Sequence, residues 1–279
     1  MTIGCVFFVP AVIALIVSWF AAIDDVTFIV FAFIGMGAGA IFMKISSEYL
    51  SKKKALISEY VVQAMLEDNF EQVEYNPTGT FSYEHLAASG LRWTGSKGND
   101  VFKAGYKGVT FAFSDVELWR GVGRHRTDVL RGQLLIIDLH RELSTPLMVS
   151  EIERRGRDSF SKGDRLQQFE GRFHVFCKSD ELASQVLTPG FVEFLHERSD
   201  SQHLFFDGKT VHYGKDTRCD FFEPCSNVRD IPAVRERIQD EIDDIKHIID
   251  GFLLNQYLFP VEAPGSENES DQAPEEPAP

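Results

Sequence analysis

The chain has 279 residues, with 28 Lys and Arg against 42 Asp and Glu and a formal net charge of −14 at pH 7. That balance excludes a strongly basic nucleic-acid-binding domain, and a hydrophobic fraction of 44% with only 11 prolines excludes wholesale disorder or a collagen-like chain. The apolar residues crowd the first 43 positions, and the rest is polar and charged.

From Ile3 to Ile23 no residue is charged. At about 1.5 Å per helical residue this run is about 31 Å long, the thickness of a bilayer core. Only Asp24 and Asp25 separate it from a second uncharged run, Val26 to Met43. The pair predicts an N-terminal transmembrane helical hairpin over residues 1–43. A cleaved signal peptide fits less well, because no basic n-region precedes the first run. Lys44, Lys52, Lys53 and Lys54 follow the second run, while the link between the runs carries two carboxylates. The positive-inside rule then puts both termini in the cytoplasm and makes the chain a multi-pass membrane protein. Gly35 and Gly39 form a G-x-x-x-G pattern, which either packs the hairpin's own helices together or joins two copies of the chain.

Residues 44–69 lack Gly and Pro and repeat Ile45, Tyr49, Leu56, Tyr60 and Met65 at roughly helical spacing, predicting a helical stalk. From Phe70 the texture changes to short Val-, Ile- and aromatic-rich runs separated by Gly, Pro, Asp and Asn, which predict strands and turns. The expected strands are Phe70–Tyr75, Asp100–Tyr106, Val109–Leu118, Val129–Leu139, Pro146–Ile152, Gly171–Cys177, His203–Phe206 and Thr210–Tyr213. Lys107-Gly108 and Asp207-Gly208 read as tight hairpins, the Asp-Gly pair suiting a type I′ turn, so the sheet is expected to be antiparallel. Helices are expected at Ser82–Ala88 and Asp180–His196, the latter bent or stopped at Thr188-Pro189-Gly190. A last helix runs from Pro232 to about Leu258, with Ile238, Ile242, Ile245, Ile249 and Phe252 on one stripe that needs a partner. The fold class is thus α+β, a mostly antiparallel-sheet domain over residues 70–259 with two or three helices and a long C-terminal helix. Residues 260–279 are acidic and Pro-rich, a tail with too little apolar surface to order itself.

The search for chemistry gives candidates without a motif. Asp138 and His140 flank Leu139 and would share a face of an extended strand, a base and its orienter with Ser144 as nucleophile. No G-x-S-x-G elbow accompanies them. Arg120, Arg124, Arg126 and Arg131 concentrate positive charge suited to an anionic ligand, or pair with nearby carboxylates. His212, Cys219 and Cys225 are candidate metal ligands, but the gap between the cysteines is not a zinc knuckle. No cofactor is implied.

Asp115-Val116-Glu117-Leu118, Arg131-Gly132, Phe169-Glu170 with Phe173–Phe176, Ser179-Asp180 through Leu187-Thr188-Pro189, and Phe205-Phe206-Asp207-Gly208, after an N-terminal hairpin, resemble a widespread bacterial family known as a domain of unknown function. The resemblance reaches to about Phe259 and implies a bacterial cytoplasmic-membrane protein, with no catalytic or ligand residues to carry over. The expected function is a membrane-tethered cytoplasmic interaction or ligand-binding module. Its expected partners are the lipid bilayer, another membrane or cytoplasmic protein, or a second copy of the chain, and not nucleic acid. The alternative is a membrane-associated hydrolase or transferase near Asp138 and His140.

Overall fold

The computed structural model describes residues 12–13, 26–151, 160, 164–166, 171–218, 222 and 231–260. The chain divides into two compact units, residues 1–64 with 222–236 and residues 65–221 with 237–279.

The first unit holds the helix α1 (Val26–Leu56), of 31 residues, followed by a π-helical turn at Ile57–Val62. The second apolar run is therefore not a rod that ends at Met43. It is the first half of one helix that continues without a break through Lys44 and Glu48. Among the described residues no helix is long and apolar enough to cross a membrane. This corrects the expected transmembrane hairpin and, with it, the multi-pass inner-membrane placement with cytoplasmic termini. The first run, residues 3–23, lies outside the described residues apart from Val12 and Ile13, and so does the acidic tail beyond residue 260. Gly35 is half-buried and Gly39 buried on α1.

The second unit is α+β. Its strands are β1 (Glu71–Asn76), β2 (Gly95–Tyr106), β3 (Val109–Arg120), β4 (Thr127–Asp138), β5 (Leu147–Ser150), β6 (His174–Cys177), β7 (Ser201–Asp207) and β8 (Thr210–Asp216). They form one sheet in the order β1-β2-β3-β4-β8-β7-β5-β6, and every pairing is antiparallel. Lys107 and Gly108 both have positive φ, 50° and 77°, as a type I′ hairpin requires. The β7–β8 turn differs from expectation: Asp207 still pairs with Thr210, so the loop is Gly208-Lys209, and of those two only Gly208 has positive φ. That is the pattern of a type II′ turn.

Register sorts the side chains between two faces. Phe102, Phe111, Phe113, Leu135 and Tyr213 share one face and are at most 1% exposed. The helix α6 (Ile231–Leu253) packs its apolar stripe here, and Ile238, Ile242, Ile245, Ile249 and Phe252 are 0–1% exposed. Phe252 meets the rings of Phe206 at 6.3 Å and Tyr213 at 6.2 Å. Burying each such side chain stabilises the fold by about 1.5–3 kcal/mol. A sheet partner is thus found for the expected stripe. α2 (Gln63–Asn69) leads into Phe70, whose ring meets Phe111 at 5.2 Å on the same face.

On the opposite face Val116, Leu118, Leu130, Leu134 and Ile136 pack under Phe81, Leu86 and Leu91 of the segment that carries α3 (Tyr83–Ala88). The Ser82 hydroxyl caps α3 by accepting from the His85 amide at 3.3 Å. Two helices replace the single one expected after Asp180: α4 (Asp180–Val186), capped by Ser179, and α5 (Pro189–Glu197), capped by Thr188 with Pro189 in its first turn. The Thr-Pro step therefore ends one helix and starts the next.

Candidate functional site

Near the β1 edge the α3 side of the sheet opens into a cleft of about 520 Å³. Val101 on β2 and Ala112 on β3 form its floor, and Phe81 and Tyr75 stand in its wall. The floor is low because Ala112 lies directly opposite Lys103, so a methyl sits where neighbouring positions of β4 carry leucine and isoleucine. Polar groups gather at the rim. His85 lies 3.2 Å from the Ser82 hydroxyl and 5.7 Å, ring to ring, from Phe81. Lys103 faces Glu74 across the β1–β2 ladder. The exposed surface of the lining is mostly apolar, although Glu74, Asn76, Thr80, Ser82, His85 and Lys103 all contribute to it.

A second, smaller cavity of about 130 Å³ lies between β2, β3 and β4 and is polar; Lys97, Asn99, Asp115, Glu117 and Arg131 contribute to it. Residues of two sequence segments that carried the family resemblance, Asp115-Val116-Glu117 and Arg131-Gly132, meet here. Cross-strand pairing brings them together, since Glu117 is opposite Arg131 and Val116 opposite Gly132.

Between the sheet and α6 lies a buried charged network. Gln133 on β4 donates through Nε2 to Glu241, and both are at most 2% exposed. Asp244, one turn further along α6, accepts from Arg198 Nη2 at 2.6 Å and from Lys215 Nζ at 2.7 Å. The Tyr213 hydroxyl donates to Gln202 Oε1 at 3.2 Å, and Gln202 Nε2 donates to the Leu195 carbonyl at 2.9 Å. Burial pushes Glu241 up to about 7, against the pull of Lys215. Burial would also raise Asp244, but the Lys215 hydrogen bond and the Arg198 charge hold it below its ordinary value. Burial raises the Tyr213 hydroxyl. Breaking such a network leaves an uncompensated buried charge, which makes these residues structural first.

The candidates read from sequence do not converge on one site. β4 ends at Asp138, so the alternation that would align Asp138 with His140 stops short of it. Both are exposed; His140 Nε2 sits 3.3 Å from the Gly108 carbonyl and its ring 5.0 Å from Phe259. Arg126 stacks at 4.0 Å over Trp119 and pairs with Glu117. Arg120 Nε donates to the Arg92 carbonyl at 2.6 Å, and burial, then the Arg92 charge, lowers its pKa. Arg124 is exposed in the 3₁₀ turn Gly123–His125, while Arg131 lines the small polar cavity. His212 is 3% exposed and its pKa falls to about 4, through burial and then the charge of His85. Cys219 and Cys225 lie outside the described residues, and among the described residues no group of three or more His, Cys, Asp and Glu is placed to hold a metal ion.

Sequence reasoning passed over both the cleft and the network. One signal for the network was present: Glu241 interrupts the apolar stripe between Ile238 and Ile245, three and four residues from them, so a carboxylate had to enter the core face. The cleft had no such signal, because β1, β2, β3 and the segment before α3 meet only through packing.

No family model matches the chain, and no curated protein matches it. A solved structure that resembles it is the crystal structure of the mycobacterial trehalose monomycolate transport factor A, TtfA. The identity is 10%, the match covers 68% of this chain and 91% of that chain, and the TM-score is 0.40. A likeness at that level bears on neither mechanism nor ligand.

Proposed function

We propose that the second unit is a binding module for a small molecule with an apolar body and a polar end, held in the cleft near the β1 edge. The observation that supports this reading is the cleft itself. Its volume of about 520 Å³ falls within the range of small-molecule sites, roughly 300–1,000 Å³, and its exposed surface, mostly apolar with polar groups at the rim, is the kind such sites use. The floor of Val101 and Ala112 takes the apolar body, and His85, Ser82 and Lys103 offer hydrogen bonds to its end. Asp138 and His140 line neither cavity described, so catalysis at those residues has less support.

The test is fluorescence titration with N-phenyl-1-naphthylamine, an apolar probe that brightens out of water. The wild-type chain is expected to bind it saturably. Thr80→Trp, placed on the exposed rim, and Val101→Phe, placed on the floor, are expected to weaken binding at least tenfold with unchanged circular dichroism. Equal binding by folded variants and wild type, or no saturable binding at all, overturns the reading.

A further inference from the structure

The β3–β4 hairpin, at the opposite end of β3 from the β2–β3 turn, is built unlike the rest of the surface. Its apex residue, Val122, is 86% exposed, the most exposed large apolar side chain among the described residues. The turn that displays it is well defined: the His125 amide donates to the Val122 carbonyl and the Arg126 amide to the Gly123 carbonyl, each at 3.3 Å. Gly121 has φ +80°, and a Cβ there would stand 2.3 Å from the His125 carbonyl oxygen, so the apex is held in one shape.

Charge surrounds this apex asymmetrically. Residues 117–131 hold Arg120, Arg124, Arg126 and Arg131 against Glu117 and Asp128, in a chain whose formal net charge is −14. Both carboxylates are engaged by Arg126, which pairs with Glu117 and lies 3.7 Å from Asp128. That leaves Arg124 projecting from the turn with no carboxylate partner among the described residues. His125 beside it is exposed as well.

We propose that the β3–β4 hairpin tip docks on the surface of an anionic lipid bilayer, with Val122 entering the headgroup boundary and Arg124, flanked by Arg120 and Arg126, meeting the lipid phosphates. The combination selects this partner. An apolar apex beside the exposed guanidinium of Arg124 matches a surface that is hydrocarbon beneath and anionic above, and a long arginine side chain reaches headgroups while its stem lies along apolar surface. The contact touches a lipid surface and does not span it. It rests on the hairpin alone and is independent of the cleft.

The test is co-sedimentation of the full chain with vesicles of phosphatidylcholine alone and of phosphatidylcholine mixed with phosphatidylglycerol. The difference between the two lipids is the readout, which removes any affinity that other parts of the chain have for neutral lipid. Wild type is expected to bind the anionic vesicles more tightly, with a preference that high salt abolishes. Each cation near such a surface strengthens binding about fivefold, so Arg124→Glu is expected to cut the preference by at least that factor. Val122→Asp is expected to cut it as well. Both side chains are exposed, so neither change disturbs the core. Lys178→Glu, at an exposed cation in the loop after β6, is expected to leave the preference nearly intact. No preference for phosphatidylglycerol in wild type, or a preference that survives both hairpin variants, overturns the proposal. An Arg124→Glu effect matched by Lys178→Glu also overturns it, since the binding is then net charge without a site.

Discussion

Gln133 on the central strand β4 donates its side-chain N–H to the carboxyl group of Glu241 on α6, and neither side chain reaches solvent. The contact places a titrating group inside the helix–sheet interface, faced by Lys215 from β8, Arg198 from the loop after α5 and Asp244 from its own helix. Glu241 is raised to about 7 from an ordinary 4.5. The folded chain therefore holds this proton more tightly than the unfolded one. Its contribution to stability is whole below about 4.5 and is lost as pH rises through about 7. Urea unfolding of wild type and Glu241→Gln is expected to diverge between about pH 5 and about pH 8, wild type losing on the order of 2–3 kcal/mol relative to the variant. Parallel pH profiles for the two chains would show that Glu241 does not titrate in this window.

His212 works in the opposite sense. Its pKa is lowered to about 4 from 6.5, so the neutral ring is the native form, and its contribution is present above 6.5 and lost as pH falls through about 4. Between about 4.5 and 6.5 the two groups offset each other, and the wild-type profile is expected to be flatter there than either variant's. His212→Gln is expected to remove the acid-side loss, on the order of 2–3 kcal/mol between about pH 7 and about pH 4. A wild-type chain no more acid-sensitive than the variant would contradict this.

Asp244 pairs with two buried cations, Arg198 and Lys215, and Asp200 lies 3.4 Å from Lys215 as well. The side chains of Arg198 and Lys215 are 6% and 7% exposed, and each places a nitrogen on one of the Asp244 oxygens. Asp244→Asn removes the charge and keeps the shape, taking from Arg198 its carboxylate partner and leaving Lys215 with Asp200. The expected cost in denaturant unfolding is about 3–5 kcal/mol. The combined change Arg198→Met, Lys215→Met and Asp244→Leu is expected to recover most of that, because a well-packed apolar replacement carries no desolvation penalty. If the triple variant is less stable than Asp244→Asn, the network contributes net attraction beyond its own desolvation.

The strands and the α6 stripe were legible because their signals are local. The expected strand Val109–Leu118 is found as Val109–Arg120, the spacing of Ile238, Ile242, Ile245, Ile249 and Phe252 becomes one buried stripe, and the Lys107-Gly108 hairpin follows from backbone conformation alone. Strand order was not legible. That β5 pairs on one side with β6, from Ser150↔His174 to Leu147↔Cys177, and on the other with β7, from Ser150↔His203 to Leu147↔Phe206, depends on contacts between distant segments, which no window of sequence carries. The N-terminal expectation failed for a related reason: an uncharged run measures the length of an apolar segment but not where a helix ends, and α1 continues past Met43. The Asp138–His140 pair rested on strand alternation that stops at Asp138.

Gly251 sets helix propensity against packing, and the geometry decides the sign. It lies inside α6, where replacing glycine by alanine ordinarily stabilises a helix by about 1 kcal/mol. A Cβ at this position, however, would stand 2.3 Å from the tip of the Phe194 ring on α5. Phe194 is 4% exposed and touches Phe191, 6.0 Å away, and His247, 5.5 Å away, so its ring has little room to retreat. Forcing a methyl into such a contact costs about 1–3 kcal/mol, enough to reverse the propensity gain. Gly251→Ala is therefore expected to lower the midpoint of thermal unfolding. The pair Gly251→Ala with Phe194→Leu, which shortens the opposing side chain, is expected to be more stable than the sum of the single changes predicts. A stabilised Gly251→Ala chain would mean that α5 and α6 shift apart more readily than their packing indicates.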